Sequence, residues 1–243
     1  MVTAARDGAL HRAIGGREVR IEPADGGVRV EPLDESIEGE VRHVLGLSFD
    51  LDAFRRSIEE PVLAALERAL SGFRPMLVPD PFEMLVGSIA AQQVSLFAAT
   101  AIRNRLVERF GERVGSVYAF PPADAVAGAD PGELVALGFS RRKAEYVLAV
   151  ARELPELAAL GALPDEAVKE RIVGVRGLGE WTADWFLARH LGRQRAWPAG
   201  DLGLRKAVAA FYGPVADVRD FGARFEPFQN LAAHYLLLGL RTR

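Results

Sequence analysis

The sequence predicts a mainly helical chain with a small α+β part at its N-terminus. Three observations carry that. Polar and apolar residues alternate in the stretch before residue 33, and apolar residues recur at helical spacing from about residue 50. The helical stretches are bounded by Gly, Pro, Ser or Asp at positions that start or stop helices. The predicted division is a region 1–75 of short antiparallel strands plus helices, and a helical body over 76–243.

Residues 8–33 read as short strands. Glu18–Glu22 and Gly27–Glu31 alternate, and Pro23-Ala24-Asp25-Gly26 between them is a hairpin turn signal. Asp50 and Asp52 then cap a helix carrying Phe54, Ile58 and Val62, with Leu63, Leu66 and Leu70 on the stripe that follows. Pro75, Pro79 and Pro81 form a rigid connector and mark the boundary. Beyond it Phe82, Leu85, Ile89 and Val94 fit one helical face, and a second helix runs from Ser95 to Phe110. Further helices are expected over 131–137, 140–153, 165–173, 181–191, 201–211 and 223–239.

Composition narrows the function. At 49% hydrophobic and 8% aromatic the chain has the material for a core. Its apolar runs are interrupted too early for a membrane span, and no apolar core follows the first basic residue, so neither membrane nor export is expected. With no Cys, disulfides, thiolate zinc sites, Cys nucleophiles and Cys-ligated iron–sulfur clusters are excluded together. The four His stand apart in sequence, each expected to be a surface or packed residue. The net charge of −3 argues against a nucleic-acid partner, but it is uneven. Residues 171–206 hold seven basic side chains against three acidic, a local surplus of the sort that places a polyanion or merely solvates a helix.

The most informative stretch is Ile172-Val173-Gly174-Val175-Arg176-Gly177-Leu178-Gly179-Glu180-Trp181-Thr182-Ala183-Asp184-Trp185. A helix ends, Gly177-Leu178-Gly179 turns the chain, and a new helix begins near Trp181. Glycines at both turn positions permit positive φ and leave N–H groups open to an anion such as phosphate. The order of glycines, after a helix, is wrong for a dinucleotide-binding fingerprint, and a ligand-free αα corner is the plain alternative. Trp181 and Trp185, four apart, share a face. Asp184 falls on another face and is expected to pair with an arginine. Twenty residues past Trp181, Asp201 follows Pro198-Ala199-Gly200 and opens a helix. By itself it reads as an N-cap.

Hairpin and Asp together resemble the helix-hairpin-helix DNA glycosylases, whose hairpin of type Leu-Pro-Gly-φ-Gly-x-x-Thr-Ala is followed by a Pro-x-x-Asp at a helix start. Val175 and Arg176 stand where that pattern has Leu and Pro. Two further stretches, Ile89-Ala90-Ala91-Gln92-Gln93-Val94-Ser95 and Leu137-Gly138-Phe139-Ser140-Arg141-Arg142-Lys143-Ala144-Glu145-Tyr146, resemble the alkylpurine branch, bacterial 3-methyladenine DNA glycosylase II. The resemblance runs over about 80–240 and weakens before residue 80.

It implies a helix-hairpin-helix glycosylase fold and a monomeric cytoplasmic bacterial enzyme of base excision repair. Its partner is double-stranded DNA with alkylated bases, and it needs no cofactor. Asp201 matches the catalytic carboxylate. Trp181, Trp185 and Phe228 match the base pocket, where aromatic rings suit cationic purines. Gln93 matches the wedge that fills the gap behind a flipped nucleotide, while Gln92 reads as structural. Gly177, Leu178, Gly179 and Thr182 match the phosphate-binding hairpin. The backbone carbonyls of Val173, Val175 and Leu178 match a site for a sodium or potassium ion. Relatives that also cut the strand carry a Lys where this chain has Trp181, so a hydrolase without lyase activity is expected. Two other readings stand beside it: a non-catalytic DNA-binding helix-hairpin-helix module, and a glycosylase for uracil, hypoxanthine or oxidised guanine.

Overall fold

The computed structural model describes the backbone of residues 1–242, and their side chains apart from those of 154–158. Four strands come first: β1 (Thr3–Arg6), β2 (Ala9–Ile14), β3 (Arg17–Ala24) and β4 (Gly27–Glu31). Helices α1 (Glu35–Val44), α2 (Leu51–Ser57), α3 (Pro61–Ala69), α4 (Pro81–Ala91) and α5 (Leu96–Phe110) follow. A ribbon of β5 (Arg113–Val114) and β6 (Val117–Tyr118) leads to α6 (Ala123–Ala127), α7 (Pro131–Ala136) and α8 (Arg141–Leu157). The chain ends with α9 (Asp165–Gly174), α10 (Glu180–Arg189), α11 (Leu202–Tyr212), α12 (Val218–Phe221) and α13 (Gln229–Arg241). No helix among the described residues is long and apolar enough to cross a membrane.

The chain forms two compact units, neither of them a continuous stretch. The first comprises Met1–Arg42, Pro79–Ala162 and Gly174–Leu178, the second His43–Val78, Leu163–Val173 and Gly179–Arg243. The proline connector therefore marks one of several points where the chain passes from one unit to the other, where the sequence reading divides it once, after residue 75.

In the first unit the strands form an antiparallel meander in the order β1-β2-β3-β4. Alternation in β3 buries Val19 and Ile21, and Gly26 takes φ +74° in the turn before β4. Helix α4 follows an Asp80 cap with Pro81 at its first position and buries Phe82, Leu85, Val86 and Ile89. A buried ion pair, Arg12 Nη2 to Glu83 Oε2 at 2.7 Å, bonds β2 to α4. Either partner alone would be an uncompensated buried charge. Glu18 on β3 accepts hydrogen bonds from the hydroxyl and the backbone N–H of Ser116 beside β6, and these donors pull its pKa down to about 2.

The second unit is built on Phe54, Leu204, Leu231, Tyr235 and Leu236, with Phe54 packed against both Phe228 and Tyr235. Two helices of the sequence reading are split here. Asp50 caps α2 as expected, but Ile58 ends it and Pro61 opens α3, with Glu60 accepting the Val62 and Leu63 N–H groups. Proline has no N–H to continue a helix. The expected helix over 223–239 is divided in the same way: α12 and a 3-10 turn end at Phe225, Pro227 intervenes, and α13 starts at Gln229. Helix α6, strand β1 and the β5–β6 ribbon carry too few large apolar residues to show a period, whereas α1 buries Ile37, Val41 and Val44 at helical spacing, a stripe that the sequence reading passes over. Val94 is exposed in the turn after α4 and is not on its apolar face.

The histidines do not all stand apart. His43 and His190 meet edge to face with centroids 6.2 Å apart, and His190 lies 2.8 Å from the Val78 carbonyl. Burial lowers the pKa of both, and lowers that of His234 to about 4. The unfolded chain thus takes up protons below about pH 6.5 that the folded chain refuses. The stability contribution is complete above that pH and is lost as pH falls through the folded values. The unfolding midpoint in urea should therefore drop between pH 6.5 and 4, and less steeply in His234→Gln. A slope unaltered by that substitution would contradict this account.

Candidate active site

Helix α10 begins at Gly179, which has an extended backbone (φ −126°, ψ −178°) and no side chain to cap the N–H groups behind it. Of the two hairpin glycines, only Gly177 takes a positive φ, +94°. A Cβ on Gly177 would also fall 2.2 Å from the Tyr146 ring. Conformation and space both require glycine there, whereas at Gly179 glycine simply leaves the helix end open.

On α10, Trp181 and Trp185 lie one turn apart and point the same way, as their spacing predicts. Their indole N–H groups converge on one atom. Trp181 Nε1 donates to Asp201 Oδ2 at 2.9 Å and Trp185 Nε1 donates to the same oxygen at 3.1 Å. Asp201 is also the N-cap of α11, its Oδ1 accepting the Leu204 N–H at 2.9 Å. The plain N-cap reading is therefore realised by one oxygen, while the other is held by two tryptophans. Three N–H donors fill most of the acceptor sites of a carboxylate, and no partner requires it to donate.

The loop that carries Asp201 is itself fixed. Trp197 Nε1 donates to the Val218 carbonyl at 2.8 Å, and its ring packs against Gly222, where a Cβ would meet it at 2.6 Å. Asn230, fully buried on α13, donates to the carbonyls of Ala188 and Arg193. His234, one turn further along α13, sets its ring against Trp185 at 5.6 Å between centroids. Sequence reasoning missed Asn230, His234 and the role of Trp197. A polar residue inside the apolar run of α13 was the one available signal.

The other two motifs meet the hairpin turn in the first unit. Gln92 Nε2 donates to the Gly177 carbonyl at 3.0 Å, which gives it the structural part expected of it. Lys143 Nζ donates to the Ala90 carbonyl at the end of α4 at 2.9 Å, and burial lowers its pKa. Arg142 Nε donates to the Tyr146 hydroxyl at 2.5 Å. Gln93 follows with a left-handed backbone, φ +55°, and is exposed.

Several expected placements change. Trp185 is only 8% exposed, and with its N–H on Asp201 and its ring against His234 it supports the carboxylate and offers little face to a base. Phe228 packs edge to face on Phe54 and lines a cavity of about 170 Å³ that includes neither Trp181, Trp185 nor Asp201. Thr182 is 1% exposed, so its hydroxyl is not presented to a phosphate. Asp184 pairs with Lys169 at 2.9 Å, not with an arginine, because Lys169 on α9 reaches the buried face of α10. The basic surplus of 171–206 is partly neutralised by acids from elsewhere: Arg176 meets Glu145, Arg193 meets Asp165, and Arg195 meets Glu226. The Val175 carbonyl accepts the Leu178 N–H at 3.1 Å and keeps one lone pair. Among the described residues no cluster of three or more His, Asp or Glu is placed to hold a metal ion.

The chain is similar to known DNA-3-methyladenine glycosylases. The 3-methyladenine DNA-glycosylase of Archaeoglobus fulgidus superposes with a TM-score of 0.85 at 30% identity, over 99% of this chain and 89% of that one. The Bacillus subtilis DNA-3-methyladenine glycosylase is 27% identical, over 84% of this chain and 74% of its own length. The Schizosaccharomyces pombe 3-methyladenine DNA glycosylase, solved in complex with abasic DNA, superposes with a TM-score of 0.66 at 26% identity, over 76% of this chain and 94% of that one. The pattern described as HhH-GPD superfamily base excision DNA repair protein matches residues 86–220, more than half of the sequence, and the chain belongs to that family.

Proposed function

We propose that the chain is a monofunctional DNA glycosylase that hydrolyses the N-glycosidic bond of alkylated purines, of the 3-methyladenine and 7-methylguanine type, in double-stranded DNA. The observation that carries this reading is the carboxylate of Asp201 held by the two indole N–H groups. The names of the relatives support the same substrate class.

Breaking the bond leaves positive charge on the sugar, and a fixed carboxylate stabilises it without having to reorganise. Asp201 also orients the attacking water and accepts its proton. An alkylated purine is already cationic and departs without an acid, which suits a site whose other members are N–H donors. Trp181, half-buried beside the carboxylate, offers its ring to the flipped base. Trp185 we assign to positioning Asp201, and Phe228 to packing. Gln93, on its left-handed turn, is the wedge. The open N–H groups after Gly179 receive a DNA phosphate.

Neutral carbonyls at Val173, Val175 and Leu178 suit a hard monovalent cation beside that phosphate, and the spare lone pair on Val175 agrees with such a site. The cation would add positive charge near the DNA backbone. Strand cleavage needs an amine at the sugar. Of the three lysines, Lys143 and Lys169 are committed to Ala90 and Asp184, and Lys206 is exposed on α11. We take the protein to act as a monomer on DNA.

Duplexes carrying 7-methylguanine, hypoxanthine or uracil, or a stable surrogate of 3-methyladenine, should yield abasic sites only from the alkylated purines, with strand breaks appearing only after alkali. Breaks without alkali would overturn the monofunctional assignment, and release of uracil alone would overturn the substrate class. Asp201→Asn should lower single-turnover release by 10³-fold or more while still binding DNA. Trp185→Phe keeps the ring and loses one hydrogen bond to a charged group, worth about 1.5–3 kcal/mol, so release should slow about 10- to 100-fold with the dissociation constant for DNA little changed. An equal loss in both quantities would argue against a positioning role.

A further inference from the structure

A short exposed apolar segment runs from the turn after α4 into the first turn of α5. Val94, Leu96 and Phe97 are 42%, 68% and 86% exposed, and Phe97 is the one exposed phenylalanine of the thirteen. Single exposed apolar residues need no explanation, but three within four positions form a patch.

The segment is held at both ends. Gln92 is tied to the Gly177 carbonyl, and the Ser95 hydroxyl accepts the Ala98 N–H at the start of α5. Between them Gln93 occupies the left-handed region, uncommon for a residue with a side chain. The first turn of α5 bears no acidic residue. Arg141 on α8 and Arg176 in the hairpin turn lie on the same unit, exposed and both paired with Glu145. An exposed aromatic ring thus lies four residues after Gln93 in sequence, in the first turn of α5, which bears no acidic residue and follows a segment bonded to the hairpin turn.

We propose that Phe97 is a second insertion residue: it enters the duplex beside Gln93 and stacks on a base flanking the gap left by the flipped nucleotide. The partner is double-stranded DNA opened at one position, and the proposal rests on the glycosylase reading above. A glutamine fills a gap but has little surface on which a base can stack. An aromatic ring four residues on supplies that surface, and apolar wedges between base steps are a known way to hold a bent duplex. Covering Phe97 in this way also removes from water the most exposed of the large apolar side chains.

The test compares binding to a duplex with a tetrahydrofuran abasic analogue and to the same duplex undamaged. Phe97→Ala should weaken binding to the abasic duplex about 10-fold, change undamaged binding less than twofold and leave the salt dependence unaltered, because no charge is lost. Phe97→Trp should bind the abasic duplex as wild type does. A Phe97→Ala variant within twofold of wild type on both duplexes would overturn the proposal, as would equal losses on both. So would a wild-type dimer that Phe97→Ala dissolves, since the patch would then serve a second copy of the chain. Wild-type protein that releases no alkylated base would count against the glycosylase reading, whatever Phe97 does.

Discussion

Two indole N–H groups share one carboxylate oxygen, and much of the second unit is arranged to keep them there. A carboxylate free to rotate would satisfy itself with water or with its own helix end. Here the helix end takes one oxygen and the tryptophans take the other, so Asp201 has one orientation. The supports run outward from it. Trp185 leans on His234, the loop before Asp201 is stapled by Trp197 to Val218, and Asn230 bonds the end of α10 to the start of that loop. Burial, which holds His234 neutral, keeps a second charge from forming beside Trp185.

The first unit solves a different problem, that of presenting an exposed turn rigidly. Two motifs that are far apart in sequence, 89–95 and 137–146, meet at the hairpin turn. Gln92 bonds Gly177, Tyr146 lies under Gly177 so that only glycine fits, and Lys143 closes the end of α4 just before Gln93. The price is a left-handed non-glycine residue at Gln93, and strain of that sort persists only where the surroundings enforce it. The turn and the helix that carries the tryptophans are consecutive in the chain, so the same few residues end one unit and begin the other.

Much of this was legible beforehand, for reasons that differ by residue. The helix α10 and the shared face of Trp181 and Trp185 follow from spacing alone, and the Asp201 cap from Pro-Ala-Gly before it. That both functions of Asp201 hold together was not legible, because a carboxylate has two oxygens and a sequence does not say where each one goes. Pro61 and Pro227 split helices that apolar spacing had joined, since a hydrophobic stripe continues across a break that a missing N–H enforces. The basic surplus around the hairpin misled by its locality: Glu145, Asp165 and Glu226 come from outside the window and partly cancel it. Asn230 and His234 act through carbonyls and ring contacts, which the sequence signals only as polar residues set in the apolar run of α13.

The three tryptophans offer a direct test of the central arrangement. Trp181 and Trp185 donate to Asp201, whereas Trp197 donates to a backbone carbonyl and serves as an internal control. In ¹⁵N-labelled protein, replacing Asp201 by Ala should shift two indole N–H resonances and speed their exchange with solvent, leaving the third as it was. If all three stay in place, or if the Trp197 signal moves as far as the other two, the carboxylate is not what holds Trp181 and Trp185.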